Sequence, residues 1–157
     1  MVIQEFGIFY ICLMKHYVLF LPILFFLFGK NDFSIEKNNP LEPCPFSPNC
    51  VATFAKKKRK KLPPLKFNRG IKGDKAIMKE IIAAFPKTKL VEEKDNYLHF
   101  EFVTKVGKFT DDVEFYFDEK NKLIHFRSAS QKGWSDMGAN KRRMKTISKN
   151  WNGRFDF

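Results

Sequence analysis

Cysteine is scarce in this chain, with three residues in 157, and their placement excludes most cysteine chemistry. No C-x-x-C pair occurs, so a dithiol redox centre has no motif to stand on. No second cysteine pair or histidine pair stands at ligand spacing, which argues against a structural zinc site. No G-x-S-x-G is present, and neither His99 nor His125 has an evident serine partner, which disfavours a serine hydrolase. Acidic residues are also in short supply: 17 Asp and Glu face 29 Lys and Arg, for a formal net charge of +12. A charge so far from zero speaks of partners rather than fold, and favours anionic ones such as phospholipid, phosphorylated polymers or nucleic acid.

Phenylalanine, by contrast, is abundant at 19 residues, and it falls into two groups. Phe20, Phe25, Phe26 and Phe28 belong to an N-terminal apolar stretch, while Phe100, Phe102, Phe115, Phe117 and Phe126 recur in the C-terminal half. As one membrane-spanning helix, Phe6 to Phe28 would place Lys15 near mid-membrane, at a cost of about 2.5–3.5 kcal/mol. Translation from Met14 fits better. It gives a positive start at Lys15 and His16, then twelve apolar residues from Tyr17 to Phe28, within the usual span of about 7–15 for a signal peptide. Gly29 is small, but no Ala-x-Ala follows and no cysteine sits where a lipoprotein needs one. Residues 1–30 therefore read as a signal peptide or membrane anchor, 31–43 as a polar, Pro-ended linker, and 44–157 as a single domain. The expected location is the cell envelope.

Cys12 lies in the apolar stretch, whereas Cys44 and Cys50 bracket a turn-rich loop, Pro45-Phe46-Ser47-Pro48-Asn49. In an oxidising compartment such a pair forms a disulfide. Closing so short a loop removes little chain entropy, and the expected gain is about 2–2.5 kcal/mol at most. The run Lys56 to Lys61 follows, ended by Leu62-Pro63-Pro64. Behind an export segment a nuclear-import reading loses its premise. The ordinary reading is a solvated loop, and the alternative is contact with an anionic leaflet, where each base is worth about 1 kcal/mol.

The rest reads as α+β. Asp74 to Phe85 is expected to be helical, with Asp74 as N-cap, Ile77, Ile81 and Phe85 on one face, and Pro86 as the stop. Four strand-like runs follow, Lys89 to Glu93, Tyr97 to Thr104, Asp112 to Phe117 and Leu123 to Ser128, joined by short turns that imply antiparallel neighbours. A last helix is expected from about Asp136 to Trp151, with Met144, Ile147 and Trp151 inward and Lys141, Arg142, Lys145 and Lys149 outward. The expected architecture is a two-layer sandwich, an antiparallel sheet of four or five strands with two helices packed on one face.

Alternation assigns the faces. Leu98, Phe100, Phe102, Val113, Phe115, Phe117, Ile124 and Phe126 point inward, and burying the five aromatics is worth roughly 1.5–3 kcal/mol each. Tyr97, His99, Glu101, Asp112, Glu114, Tyr116, His125 and Arg127 share the other face. Cross-strand ion pairs account for such a face without any function. Two alternatives stand beside that one: a metal held by His99, His125 and a carboxylate, and acid–base catalysis by Asp112 and Glu114, which project together two residues apart.

The stretch from Arg127 to Asn140 joins the last strand to the last helix and is dense in hydroxyls and small residues, with Gly133 and Gly138 as punctuation. Ser135 or Asp136 can cap the helix. Hydroxyls, an arginine and a helix N-terminus converging after a strand also describe an anion pocket, for which Arg127, Ser128, Ser130, Ser135, Asn140 and Arg143 are the candidates. Asp136 would compete with a full phosphate for the helix amides.

Three blocks resemble the domain of unknown function 1499 family: Cys44-Pro45-Phe46-Ser47-Pro48-Asn49-Cys50-Val51; Asp111-Asp112-Val113-Glu114-Phe115; and Arg127-Ser128-Ala129-Ser130 through Gly133, Ser135, Asp136, Gly138, Asn140, Arg142 and Arg143. The resemblance spans residues 44 to about 150 and implies an exported or membrane-associated protein, but no activity. Phe46 stands where the family usually has Asp, and Gln131 where it usually has Arg. The expected function is a non-catalytic cell-envelope domain that binds an anionic membrane surface or a phosphorylated or acidic ligand, with no cofactor. One rival is a hydrolase-like enzyme using Asp112, Glu114 and Arg127 with Ser128 or Ser130. Another is a nucleic-acid binder using Lys141 to Lys149 near Trp134 and Trp151, consistent with a pI near 9.7, though export argues against it.

Overall fold

The computed structural model describes residues 39–104 and 109–155. The expected export segment at 1–30, and the linker before residue 39, lie outside the described residues. Glu36–Phe157 forms one compact unit.

Among the described residues, six strands and two α-helices follow in the order β1 (Cys50–Ala52), β2 (Leu65–Lys66), α1 (Gly70–Ala83), β3 (Thr88–Lys94), β4 (Tyr97–Val103), β5 (Thr110–Asp118), β6 (Leu123–Ser130) and α2 (Ala139–Asn152), with a short 3-10 turn at Lys58–Lys60 between β1 and β2. All pairs in the sheet are antiparallel, in the order β1-β6-β5-β4-β3, and β2 also pairs with β6. The fold is α+β. The sheet has six strands rather than the four or five expected, because β1 and β2 were not anticipated. At three and two residues each, they are too short for alternation to declare them.

α1 also begins earlier than expected, at Gly70 rather than Asp74. Gly70 has φ +80, a conformation that glycine adopts without steric cost. Asp74 lies inside the helix, fully buried, and its carboxylate reaches back to accept the Asn68 and Arg69 amides at 2.8 and 3.0 Å. It satisfies free amides ahead of the helix, but not from the cap position. α2 starts at Ala139 rather than Asp136. Asp136 still serves its first turn, accepting the Asn140 amide at 2.7 Å and the Gly138 amide at 3.0 Å.

The core joins Met78, Ile81 and Ile82 of α1 and Met144, Ile147 and Trp151 of α2 to the sheet face carrying Leu98, Phe100, Phe102, Val113, Phe115, Phe117, Ile124 and Phe126. The register confirms the expected faces, with Leu98 opposite Phe115 and Phe115 opposite Phe126. Trp151 lies buried with its indole N–H donating to the Lys66 carbonyl at 3.0 Å, which satisfies its one polar atom. The other face is covered at one end. Leu41, within the stretch expected to be linker, is buried against Tyr97, Tyr116 and Phe54, so the folded part reaches at least to Leu41.

Under that cover lies His125, 2% exposed. Its Nδ1 is 3.0 Å from Thr53 Oγ1, its Nε2 is 3.8 Å from Asp118, and its ring stacks with Tyr116. Burial lowers its proton affinity below the usual histidine value, and the Asp118 charge opposes this only in part. The unfolded chain therefore binds the proton more tightly than the folded one. The neutral ring's contribution is full above about pH 6.5 and is lost as pH falls through the lower folded-state value. The urea midpoint is expected to fall between pH 7 and 5, with a shallower fall in His125→Gln. Equal slopes in the two proteins would show that His125 does not set the acid limb.

Candidate functional site

The residues singled out in the sequence fall into three groups, and the sheet separates two of them. On the inner face, β5 contributes Asp111 and β6 contributes Ser128 and Ser130, beside Asn140 and Arg143 one turn apart on α2. Ser128 donates to Asn140 Oδ1 at 2.5 Å, and Asn140 Nδ2 donates to Ser130 Oγ and to the Asn49 carbonyl at 3.1 Å each. Arg143 donates to Asn140 Oδ1 at 2.7 Å and to Asp111 Oδ2 at 2.5 Å, and its guanidinium lies 4.8 Å from the Phe102 ring centre. Asp111 is 1% exposed, and its Oδ1 has no hydrogen-bond partner among the described residues. Asn140 is fully buried. This is a polar rivet holding α2 to the sheet and to the disulfide loop.

Arg127 is on the opposite face. It donates to Glu114 Oε2 at 2.6 Å, and Tyr97 donates to Glu114 Oε1 at 2.7 Å. Burial, then the hydrogen bond to Glu114, raise the Tyr97 hydroxyl well above its usual range, so it stays a proton donor. His99 Nε2 lies 2.8 Å from Asp112 Oδ1, which also accepts from Gln131 at 3.1 Å, and Gln131 reaches Glu101 at 3.3 Å. Asp112 and Glu114 do project together, as alternation requires, but each carboxylate is held by a neighbour. Ser128 and Ser130 stand across the sheet from both, so no single site collects the hydrolase set. His99 and His125 belong to β4 and β6 with β5 between them. Among the described residues, no group of three or more His, Cys, Asp or Glu could hold one metal ion.

The third group is at the β1 edge. Cys44 and Cys50 form a disulfide. Lys60, expected as one more solvated base, is buried, and its ammonium donates to the carbonyls of Pro45, Phe46 and Ser47. Burial, with Lys57 and Arg59 adding to it, lowers the Lys60 ammonium below the usual lysine value. The three carbonyls favour the charged form. Asn49 ties this loop to the strand–helix loop by donating to the Gly133 carbonyl at 2.7 Å. Lys141 donates to the Arg59 carbonyl at 3.0 Å. A cavity of about 130 Å³ opens between them, lined by Pro48, Arg59, Lys60, Asp136, Gly138 and Lys141 among others.

Helix-terminus binding of an anion is pre-empted there, because the Asp136 carboxylate already takes the Gly138 and Asn140 amides. Ser135 is exposed, and its Oγ accepts from the Met137 amide at 3.3 Å. Of the six anion-binding candidates, Ser128, Ser130, Asn140 and Arg143 therefore share one hydrogen-bonded network on the inner face, and Arg127 and Ser135 lie elsewhere. Asn49, Lys60 and Asp111 were missed as site residues. Asp111 had a legible signal, since alternation puts it on the same face as Val113 and Phe115.

The six-stranded antiparallel sheet, two helices and disulfide loop pinned to the strand–helix turn define a small disulfide-bonded α+β domain. The family model described as Protein of unknown function (DUF1499) matches residues 40–150, and the chain belongs to that family. No curated protein matches the chain at a significant level.

Proposed function

We propose that this domain works in the cell envelope as a non-catalytic module that binds an anionic ligand or surface. The reading takes the helices and sheet as a two-layer scaffold, and the β1 edge as the binding face. The observation that carries it is uncompensated charge. Lys56, Lys57, Lys58, Arg59, Lys61, Lys132, Lys141 and Arg142 make no ion pair among the described residues. Asp136, the acid in the same loop, is turned onto backbone amides. The two arginines that lie against the sheet are matched instead: Arg127 pairs with Glu114, and Arg143 with Asp111. In an open groove of about 650 Å³ beside α1, Lys75 and Lys79 both pair with Glu93. A face of one sign steers and holds anionic partners, and salt weakens that attraction.

The test is amine labelling of the full chain reconstituted in vesicles. Lys56, Lys57, Lys58, Lys61 and Lys141 are expected to be protected by phosphatidylglycerol vesicles or by inorganic polyphosphate, and salt should remove the protection. Equal labelling with anionic and zwitterionic lipid, and no effect of polyphosphate, would overturn the reading.

A further inference from the structure

We infer that the occupant of the basic edge is a bilayer carrying anionic headgroups, with Phe46, Trp134 and Met137 entering the boundary between headgroups and acyl chains; this rests on the anionic-surface reading above. The three side chains are 73%, 66% and 88% exposed. They come from the disulfide loop and the strand–helix loop, which the Asn49 side chain joins. The Phe46 and Trp134 ring centres are 6.3 Å apart, and Lys57 Nζ sits 3.8 Å from the Phe46 ring centre. Arg142 donates to the Met137 carbonyl at 2.8 Å, so a base stands beside each end of the apolar group.

Exposed aromatics in contact with one another and rimmed by lysine and arginine are what an interfacial membrane surface needs. The rings take the boundary region, and the bases take the anionic headgroups. A free phosphate or polyphosphate would use the bases and leave Phe46, Trp134 and Met137 in water. Charge complementarity therefore selects an anionic partner, and the apolar tips select a lipid one.

The tip is also preorganised. The disulfide closes one loop, Lys60 holds three of its carbonyls, and Asp136 and Ser135 hold the backbone on either side of Met137. Met137 itself has φ +49, uncommon for a side chain of its size. A surface already held in its docking shape loses little entropy on binding.

Trp134 and Trp151 are the chain's two tryptophans, and Trp151 is buried in the core. Fluorescence of the full chain in vesicles therefore reports on Trp134 against an internal reference. With dibrominated phosphatidylglycerol, emission is expected to fall by roughly half, the share of one tryptophan in two. Salt should restore it, dibrominated phosphatidylcholine should leave it unchanged, and Trp134→Phe should abolish the loss. Phe46→Ser and Met137→Ser, both at exposed positions, should each reduce it. Equal quenching in the two brominated lipids would overturn the inference, since charge would then have no part in it. Absent quenching with the lysines still protected by phosphatidylglycerol would overturn insertion and leave the anionic reading standing. Absent quenching with no protection would remove both.

Discussion

Arg143→Met is expected to lower the unfolding free energy by about 3–5 kcal/mol, the usual cost of leaving a buried charge without its partner. Asp111 sits in the core between Phe102 and Ser130 in the sheet register, and Arg143 is its one cation among the described residues. The variant also deprives Asn140 of a donor to its carbonyl oxygen. Chemical denaturation of the oxidised chain measures the effect. The double variant Asp111→Leu with Arg143→Met should recover most of the loss, because an apolar pair of similar volume replaces a buried ion pair at little cost. A single variant within about 0.5 kcal/mol of the parent, the ordinary range for surface changes, would show that the pair does not rivet α2 to the sheet.

Lys60→Met is expected to cost about 2–3 kcal/mol, because three carbonyls lose a charged donor within a loop too tight to resolvate them all. Lys57→Met and Lys58→Met, at exposed positions a few residues away, should stay within about 0.5 kcal/mol. The contrast within one run of six bases is the informative part. A flat response across the three would place Lys60 in solvent with its neighbours. A large loss that disappears when Cys44 and Cys50 are both replaced would show that Lys60 acts through the disulfide loop.

Alternation carried the sheet faces from sequence to structure without error, because period-two projection is a property of the backbone. The same rule, applied through to the loop, would have divided the candidate anion site. Ser128 and Ser130 share parity with Phe126, so they face inward, while Arg127 faces out with His125. Their adjacency in sequence concealed a separation by the full thickness of the sheet. Glu114 and Asp112 were legible as a projecting pair, but the partners that hold them, Tyr97, Arg127, His99 and Gln131, depend on register, which no local pattern fixes.

Helix positions were legible and their starts were not. Met144, Ile147 and Trp151 mark α2 by spacing, and Ile81 marks α1. Asp74 and Asp136 mark turns of helix needing an acceptor, yet each reaches its amides from a place other than the cap. Lys60 was the least legible residue of all. Within Lys56 to Lys61 nothing local distinguishes it, and only the fold of a loop fifteen residues upstream makes it structural. Phe46, Trp134 and Met137 were each visible as apolar residues in polar loops, but their grouping depends on the contact of Asn49 with Gly133.

The central claim is that the β1 edge meets an anionic surface. It is tested most directly by amine labelling of Lys141 in the full chain, reconstituted in phosphatidylglycerol vesicles, with and without Lys57→Glu, Lys58→Glu and Arg59→Glu combined. Lys141 lies on the same edge, joined to the run through the Arg59 carbonyl, and is itself unaltered. The account predicts that anionic lipid protects Lys141 in the parent and that charge reversal removes this protection. Equal labelling of Lys141 in parent and variant, in anionic and zwitterionic lipid alike, would contradict it.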